Sequence, residues 1–328
     1  MRTVGPYELV RLLGRGGMGE VHLARDTRRG RDVALKMLDP RLLEEPENYV
    51  ERFRREGELL RTIHHRSLPD IHEVGISESG EAYLAMEYLS GPWLSDWIGR
   101  SPLETIPLLI QICGALGAIA GRGIVHRDLS PDNILVVSRG RHQLAKIIDF
   151  GIAKEVGRTT KLTETGYFFG KVQYCSPEQV GLLAEGETID WRSDLYSLGI
   201  VVYNLFSGVL PFRADTPVAY MSAHLHEKPK PLRAPAGRPS YPRRLEELVA
   251  RMLEKDRNRR PASYGDVMRA LARSHAEILL RSAVAAGPAP TDRHTASTVR
   301  LAAPELSQAE TIDDPLGIEP RPPENPKG

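Results

Sequence analysis

Gly14-Arg15-Gly16-Gly17-Met18-Gly19-Glu20-Val21 spaces its glycines so that a backbone can turn sharply and bring N–H groups against phosphate oxygens, with no Cβ in the way. An ordinary hairpin turn or a dinucleotide-binding unit uses a similar string. Here a strand is expected after the turn, where a dinucleotide-binding unit needs a helix. Seventeen residues after Gly19, Lys36 closes the run Val33-Ala34-Leu35-Lys36. An amine in a buried run requires a counter-charge, and Glu56, on an expected amphipathic helix, is the candidate. Further along, His126-Arg127-Asp128-Leu129-Ser130-Pro131-Asp132-Asn133 lies in a polar loop, and Asp149-Phe150-Gly151 follows an apolar strand expected at Ala145–Ile148. Asn133 and Asp149 supply oxygen ligands of the kind Mg²⁺ takes while bridging phosphates. Asp128 is then free to accept the proton of an attacking hydroxyl.

The elements that must position these groups fall into three zones. Strands are expected at Tyr7–Leu13, Glu20–Arg25, Asp32–Leu38, Ile71–Ile76 and Ala82–Glu87, interrupted by a helix over Asn48–Ile63. From Leu89 to about Ala286 the pattern turns helical, most clearly at Leu103–Ala120, Asp194–Phe206, Arg243–Leu253 and Gly265–Ala285. Strands first and helices later imply an α+β chain with segregated lobes. Residues 286–328 read as a Pro-rich disordered tail: 8 of the 25 prolines fall there and no aromatic residue does.

Composition narrows the classes. The 328 residues are 41% hydrophobic, ample for a core, and exceed the ~150 of a typical single domain. A net charge of +1 gives no global attraction to nucleic acid or anionic lipid. Cys113 and Cys175 are too few for a disulfide framework and fit a reducing cytoplasm, with Cys113 expected in a helix core and Cys175 in packing. No targeting segment is expected, and the longest apolar stretch, around Leu198–Phe206, is too short to span a bilayer. Arginine outnumbers lysine 35 to 9, which makes each lysine conspicuous.

Taken together, glycine loop, strand lysine, helix glutamate, catalytic-type loop and Asp-Phe-Gly resemble the protein kinases, specifically the bacterial eukaryotic-like (Hanks-type) serine/threonine kinases, over roughly Tyr7–Leu280. Ser176-Pro177-Glu178 stands for the family's Ala-Pro-Glu, and Asp194 and Arg260 match family positions. The resemblance implies a bilobal kinase domain over residues 1–285, with residues 1–88 as a small antiparallel β lobe carrying one helix and residues 89–285 as a larger, mainly helical lobe. It implies that Gly14–Gly19 cover the phosphates of ATP, that Lys36 held by Glu56 contacts the α- and β-phosphates, and that Asp149 and Asn133 hold Mg²⁺, with Mn²⁺ as an alternative. Adenine would lie between Leu13, Val21, Ala34 and Leu135, with Met86 at the back wall and the backbone of Glu87–Leu89 bonding the ring. Glu178 and Arg260 would form a buried ion pair, and Asp194 would brace the catalytic loop.

The sequence departs from the family twice. Ser130 stands where serine/threonine members usually carry Lys, and Lys171 follows Gly170 where they usually carry Thr. Lys171 is expected to restore the missing charge from the other side of the cleft; the alternative is that Ser130 marks weakened catalysis and Lys171 is a solvated loop residue. Pro131 fits the serine/threonine pattern. Arg127 beside Asp128 suggests control by phosphorylation of the segment 152–175, which offers Thr159, Thr160, Thr163 and Thr165. Expected partners are protein substrates, a second copy of the chain for trans-autophosphorylation, and a phosphothreonine-reading domain at that segment or at Thr311 of the tail. An ATP-binding pseudokinase scaffold and a small-molecule phosphotransferase remain as other readings.

Overall fold

The computed structural model describes residues 2–16, 19–39, 48–140, 142–149, 171–183 and 186–286. Gly17 and Met18 of the glycine string, Phe150 and Gly151, the segment 152–170 with Thr159, Thr160, Thr163 and Thr165, and residues 287–328 with Thr311 lie outside the described residues.

Strands β1 (Thr3–Val4), β2 (Tyr7–Gly16), β3 (Gly19–Asp26), β4 (Arg31–Leu38), β5 (Ile71–Ile76) and β6 (Ala82–Glu87) form one antiparallel sheet in the order β1-β2-β3-β4-β6-β5. Residues opposite one another in antiparallel strands share a face. Val21, Lys36 and Leu84 therefore stand on one face, with Ala34 and Met86 beside them. That face joins the main core through Ala34, Leu38, Leu84 and Met86, while Val33, Leu35 and Met37 turn to a second cluster with Tyr7, Tyr83 and Ala85. β4 is thus buried on both sides, and Lys36 is the one charge within its run Val33–Leu38.

Helix α1 (Asn48–Arg61) buries Phe53 and Leu60 and packs on β5. Gly57 permits the close approach: a Cβ there would sit 2.8 Å from Val74 Cγ2 and 3.1 Å from Leu84 Cδ1. The helical lobe follows. Ser101 Oγ accepts from the Leu103 N–H and the Glu104 carboxylate from the Ser101 N–H, which starts α2 (Pro102–Ala120). β7 (Ile134–Arg139) and β8 (His142–Ile147) form a two-stranded antiparallel hairpin, and α3 (Arg192–Ser207), α4 (Pro217–His226), α5 (Arg243–Met252) and α6 (Tyr264–Ala286) complete the lobe.

Three elements differ from expectation. β1 is two residues long, and α4 buries only Ala223 and His224, so neither leaves a periodic pattern. β7 follows directly on the loop ending at Asn133, which hid it. The longest apolar stretch is α2, not Leu198–Phe206. By length and a mean hydropathy of 1.7, α2 could cross a membrane, yet half of it is buried inside the protein, where it packs against α6.

Candidate active site

β2 and β3 meet with Gly14 opposite Val21 and Gly16 opposite Gly19, and Val21 in turn stands opposite Lys36. Gly19 has φ +138°, and a Cβ there would lie 1.9 Å from the Met37 carbonyl oxygen, so only glycine fits. Arg15 and Glu20 form an ion pair across the turn, and His22 Nε2 lies 2.8 Å from Glu20 Oε2. Hydrogen bonds from His22 and Arg15 hold the Glu20 carboxyl below its ordinary value.

Lys36 is 6% exposed, and its ammonium pairs with the carboxylate of Asp149. The counter-charge assigned to Glu56 from sequence is therefore supplied by Asp149 at the end of β8, where φ of +58° turns the chain. Glu56 is half-buried on α1 and has interactions of its own. A buried ammonium takes whichever carboxylate the fold brings to it.

The catalytic-type loop is held from beneath. Asp194 of α3 accepts from the backbone N–H groups of His126 at 2.7 Å and Arg127 at 2.8 Å, and Arg127 has φ +63°. Burial raises the Asp194 carboxyl to about 7, while the two backbone donors and Arg127 pull it down. Asn133 Nδ2 donates to the Asp128 carbonyl at 2.7 Å, and the Ile148 N–H donates to the Asn133 carbonyl at 2.8 Å. These bonds join the base position Asp128, the amide of Asn133 and the residue before Asp149. With its NH₂ group turned to Asp128, Asn133 keeps its side-chain oxygen as an acceptor. One carboxylate and one amide oxygen fit Mg²⁺, which binds through one or two protein ligands together with phosphates.

Lys171, the first described residue after the unassigned segment, pairs with Asp132 in the short 3₁₀ turn Pro131–Asn133. Burial works against the Asp132 carboxylate, but hydrogen bonds from Lys171 and Ser95 bring its pKa below the ordinary value. Ser130 is buried, and its hydroxyl makes no hydrogen bond among the described residues.

Of the residues expected to line an adenine pocket, Ala34, Met86 and Leu135 are buried, Val21, Glu87 and Leu89 are half-buried, and Leu13 is 36% exposed. Glu87 is tied down: Lys146 Nζ donates to Glu87 Oε2 at 2.7 Å and to the Leu68 carbonyl at 2.9 Å. Sequence reasoning assigned no role to Lys146, although it is one of the nine lysines and lies in an apolar run.

Glu178 and Arg260 form a bidentate buried pair at 2.6 and 2.8 Å. Gln179, also unassigned from sequence, donates to the Arg127 carbonyl at 2.8 Å and so ties the Ser176-Pro177-Glu178 stretch to the catalytic loop. Beneath Val172–Tyr174, His224 contacts Tyr196 at 3.1 Å, and burial together with Lys255 lowers its pKa to about 4. Cys113 and Cys175 are both buried free thiols, and burial pushes Cys113 up to about 12.

A six-stranded antiparallel lobe holding a buried lysine, joined to a helical lobe that carries Asp128, Asn133 and Asp149, defines the protein kinase fold. The sequence profile of the protein kinase domain family matches residues 7–274, and the chain belongs to that family. It is 39% identical over 280 residues to serine/threonine-protein kinase pkn2 of Myxococcus xanthus, across 84% of this chain and 33% of that protein. It is 36% identical over 317 residues to serine/threonine-protein kinase PknB of Mycolicibacterium smegmatis, across 91% and 49%. The chain thus spans a third to a half of the length of these relatives. In fold it is similar to the crystal structure of the Mycobacterium tuberculosis PknI kinase domain, with a TM-score of 0.60 at 24% identity, covering 83% of this chain and 98% of that one.

Proposed function

We propose that the chain is an ATP- and Mg²⁺-dependent protein kinase that transfers the γ-phosphate to serine and threonine hydroxyls of proteins and autophosphorylates its own segment 152–175. The observation that carries this reading is the run of bonds from Asp128 through Asn133 to Ile148, with Asp149 beyond it paired to the buried Lys36. In this reading the backbone of Gly14–Gly19 would cover the phosphates and Lys36 would meet the α- and β-phosphates, while Asn133 and Asp149 would hold Mg²⁺, whose charge would offset that of the phosphates. Asp128 accepts the hydroxyl proton as that oxygen bonds to the γ-phosphorus. The bond from the γ-phosphorus to the bridging oxygen breaks, and its electron pair leaves with ADP.

The resemblance would place Glu56 beside Lys36 in the nucleotide-bound chain, where Asp149 would serve Mg²⁺. Arg127 would receive a phosphate on the activation segment, and that phosphate or Thr311 of the tail would dock a phosphothreonine-reading domain. A second copy of the chain serves as the trans-autophosphorylation partner. Two buried free thiols support a cytoplasmic setting. Incubation with radiolabelled ATP and Mg²⁺, alone and with a generic protein substrate, tests the reading. Wild type is expected to label itself on threonine and the substrate on serine or threonine, with labelling lost in Asp128→Asn. Nucleotide binding without any transfer would point to a pseudokinase. Transfer only to small molecules would replace the protein-substrate reading.

A further inference from the structure

We propose that Lys171 is the cation that meets the transferring phosphoryl group on the acceptor side, and that Asp132 is the positioning residue that holds it there. This proposal rests on the kinase reading above. Transfer to a hydroxyl leaves negative charge on the moving group, and a fixed positive charge beside it is worth most where water is scarce. On the donor side that charge is Lys36, already engaged with Asp149. On the acceptor side, the loop position two residues after Asp128 is Ser130, whose buried hydroxyl carries no charge and makes no hydrogen bond among the described residues.

Lys171 supplies a charge at this place. Its backbone is fixed, because its carbonyl accepts from the Tyr174 N–H at 2.9 Å at the start of a 3₁₀ turn. Its ammonium reaches the carboxylate of Asp132, the neighbour of Asn133, whose side chain bonds the Asp128 carbonyl. Asp132 is anchored independently, since it sits in the 3₁₀ turn Pro131–Asn133, where the Asn133 N–H donates to the Ser130 carbonyl at 3.0 Å. The carboxylate is therefore the fixed member and the lysine the held one.

Energetics separate this role from a structural one. Lys171 and Asp132 side chains are 40% and 46% exposed, and ion pairs so open contribute little to stability. An ammonium has three N–H donors, so pairing with Asp132 leaves donors for a phosphate oxygen.

The test uses steady-state transfer to a protein substrate by the full chain, with melting temperatures as the folding control. Lys171→Met is expected to lower kcat about 100-fold, the usual scale for losing one transition-state contact, with KM for ATP within about threefold. Lys171→Arg, which keeps the charge, is expected to stay within about tenfold of wild type. Asp132→Asn is expected to lower kcat about tenfold alone and to add nothing in the Lys171→Met background, because it acts through Lys171. Melting temperatures should move little. An active wild type whose Lys171→Met variant keeps kcat within about twofold overturns the proposal and leaves the kinase reading standing. Full additivity of the two substitutions removes the positioning role of Asp132. A wild type that transfers no phosphate overturns both readings.

Discussion

Asp194 accepts a 2.8 Å hydrogen bond from the backbone N–H of Arg127, a residue held at φ +63° one position before Asp128. A left-handed backbone at a bulky residue costs on the order of 1–3 kcal/mol. Hydrogen bonds to a charged group are worth ~1.5–3 kcal/mol each, and Asp194 makes a second one, 2.7 Å from the His126 N–H. The strain that aims the catalytic loop is thus offset by a single buried carboxylate on α3.

That carboxylate should leave a signature in pH-dependent stability. Burial raises it to about 7 in the folded chain, against 3.8 ordinarily. Between those values the unfolded chain has released the proton and the folded chain keeps it, so the folded state loses stability through this group as pH rises from about 4 to about 7. Above about 7 the effect levels off. Asp194→Asn lacks the term. The stability of wild type relative to Asp194→Asn, from denaturant midpoints, should therefore fall by on the order of 4 kcal/mol across that window. A difference independent of pH would show that Asp194 titrates near its ordinary value.

The glycine string separates into positions with different tolerance. Gly19→Ala places a Cβ where the Met37 carbonyl stands, at φ +138°, and is expected to lower unfolding free energy by ~1–3 kcal/mol and to raise KM for ATP. Nothing lies within 4 Å of a Cβ at Gly14 or Gly16. Gly14→Ala and Gly16→Ala should therefore stay within about 0.5 kcal/mol of wild type. Thermal melts of the three variants decide it.

Glu178→Gln tests the buried pair below the substrate side. The Arg260 guanidinium is fully buried, and Glu178 supplies both its carboxylate contacts. Removing one partner leaves a buried charge uncompensated, at a cost of ~3–5 kcal/mol. For a domain of this size that lowers Tm by roughly 10 °C. A fall of only a degree or two would mean that the backbone carbonyls of Glu254, Lys255 and Arg192, which Arg260 also reaches, suffice to hold it.

How far the sequence reached follows from the range of each interaction. Lys36 was conspicuous because lysine is scarce and its neighbours are apolar, both local facts. Its partner Asp149 lies 113 positions away, and the sequence does not show which carboxylate the fold brings to it. Asp132 sat inside the quoted loop without a role, because an anchoring aspartate and a solvated one look alike there. Lys171, 39 positions on, is what distinguishes them. Gln179 was missed for the same reason, its bond to the Arg127 carbonyl spanning 52 positions. The strands and the longer helices were legible because their burial is periodic, whereas α4 buries only two side chains and left no such pattern.

Lys146 gives the last prediction. Its ammonium is 5% exposed, donates to Glu87 Oε2 at 2.7 Å and to the Leu68 carbonyl at 2.9 Å, and so links β8 to the end of β6. In the proposed function the backbone that would bond adenine begins at Glu87, while the groups that would carry out transfer lie elsewhere, at Asp128 and Lys36. Lys146→Met keeps the apolar stem and removes the charge, leaving the Leu68 carbonyl without its donor and Glu87 with the longer contacts to the Asp70 N–H at 3.4 Å and to Arg139 at 3.6 Å. The loss should be ~1–3 kcal/mol in stability. In kinetics it should fall on ATP binding: KM for ATP is expected to rise several-fold, with kcat nearly unchanged. Glu87→Gln, at a more exposed position and still able to accept from Lys146, should show the same direction with a smaller effect. A drop in kcat with constant KM would instead place Lys146 on the path to Asp149, three residues downstream on the same strand end.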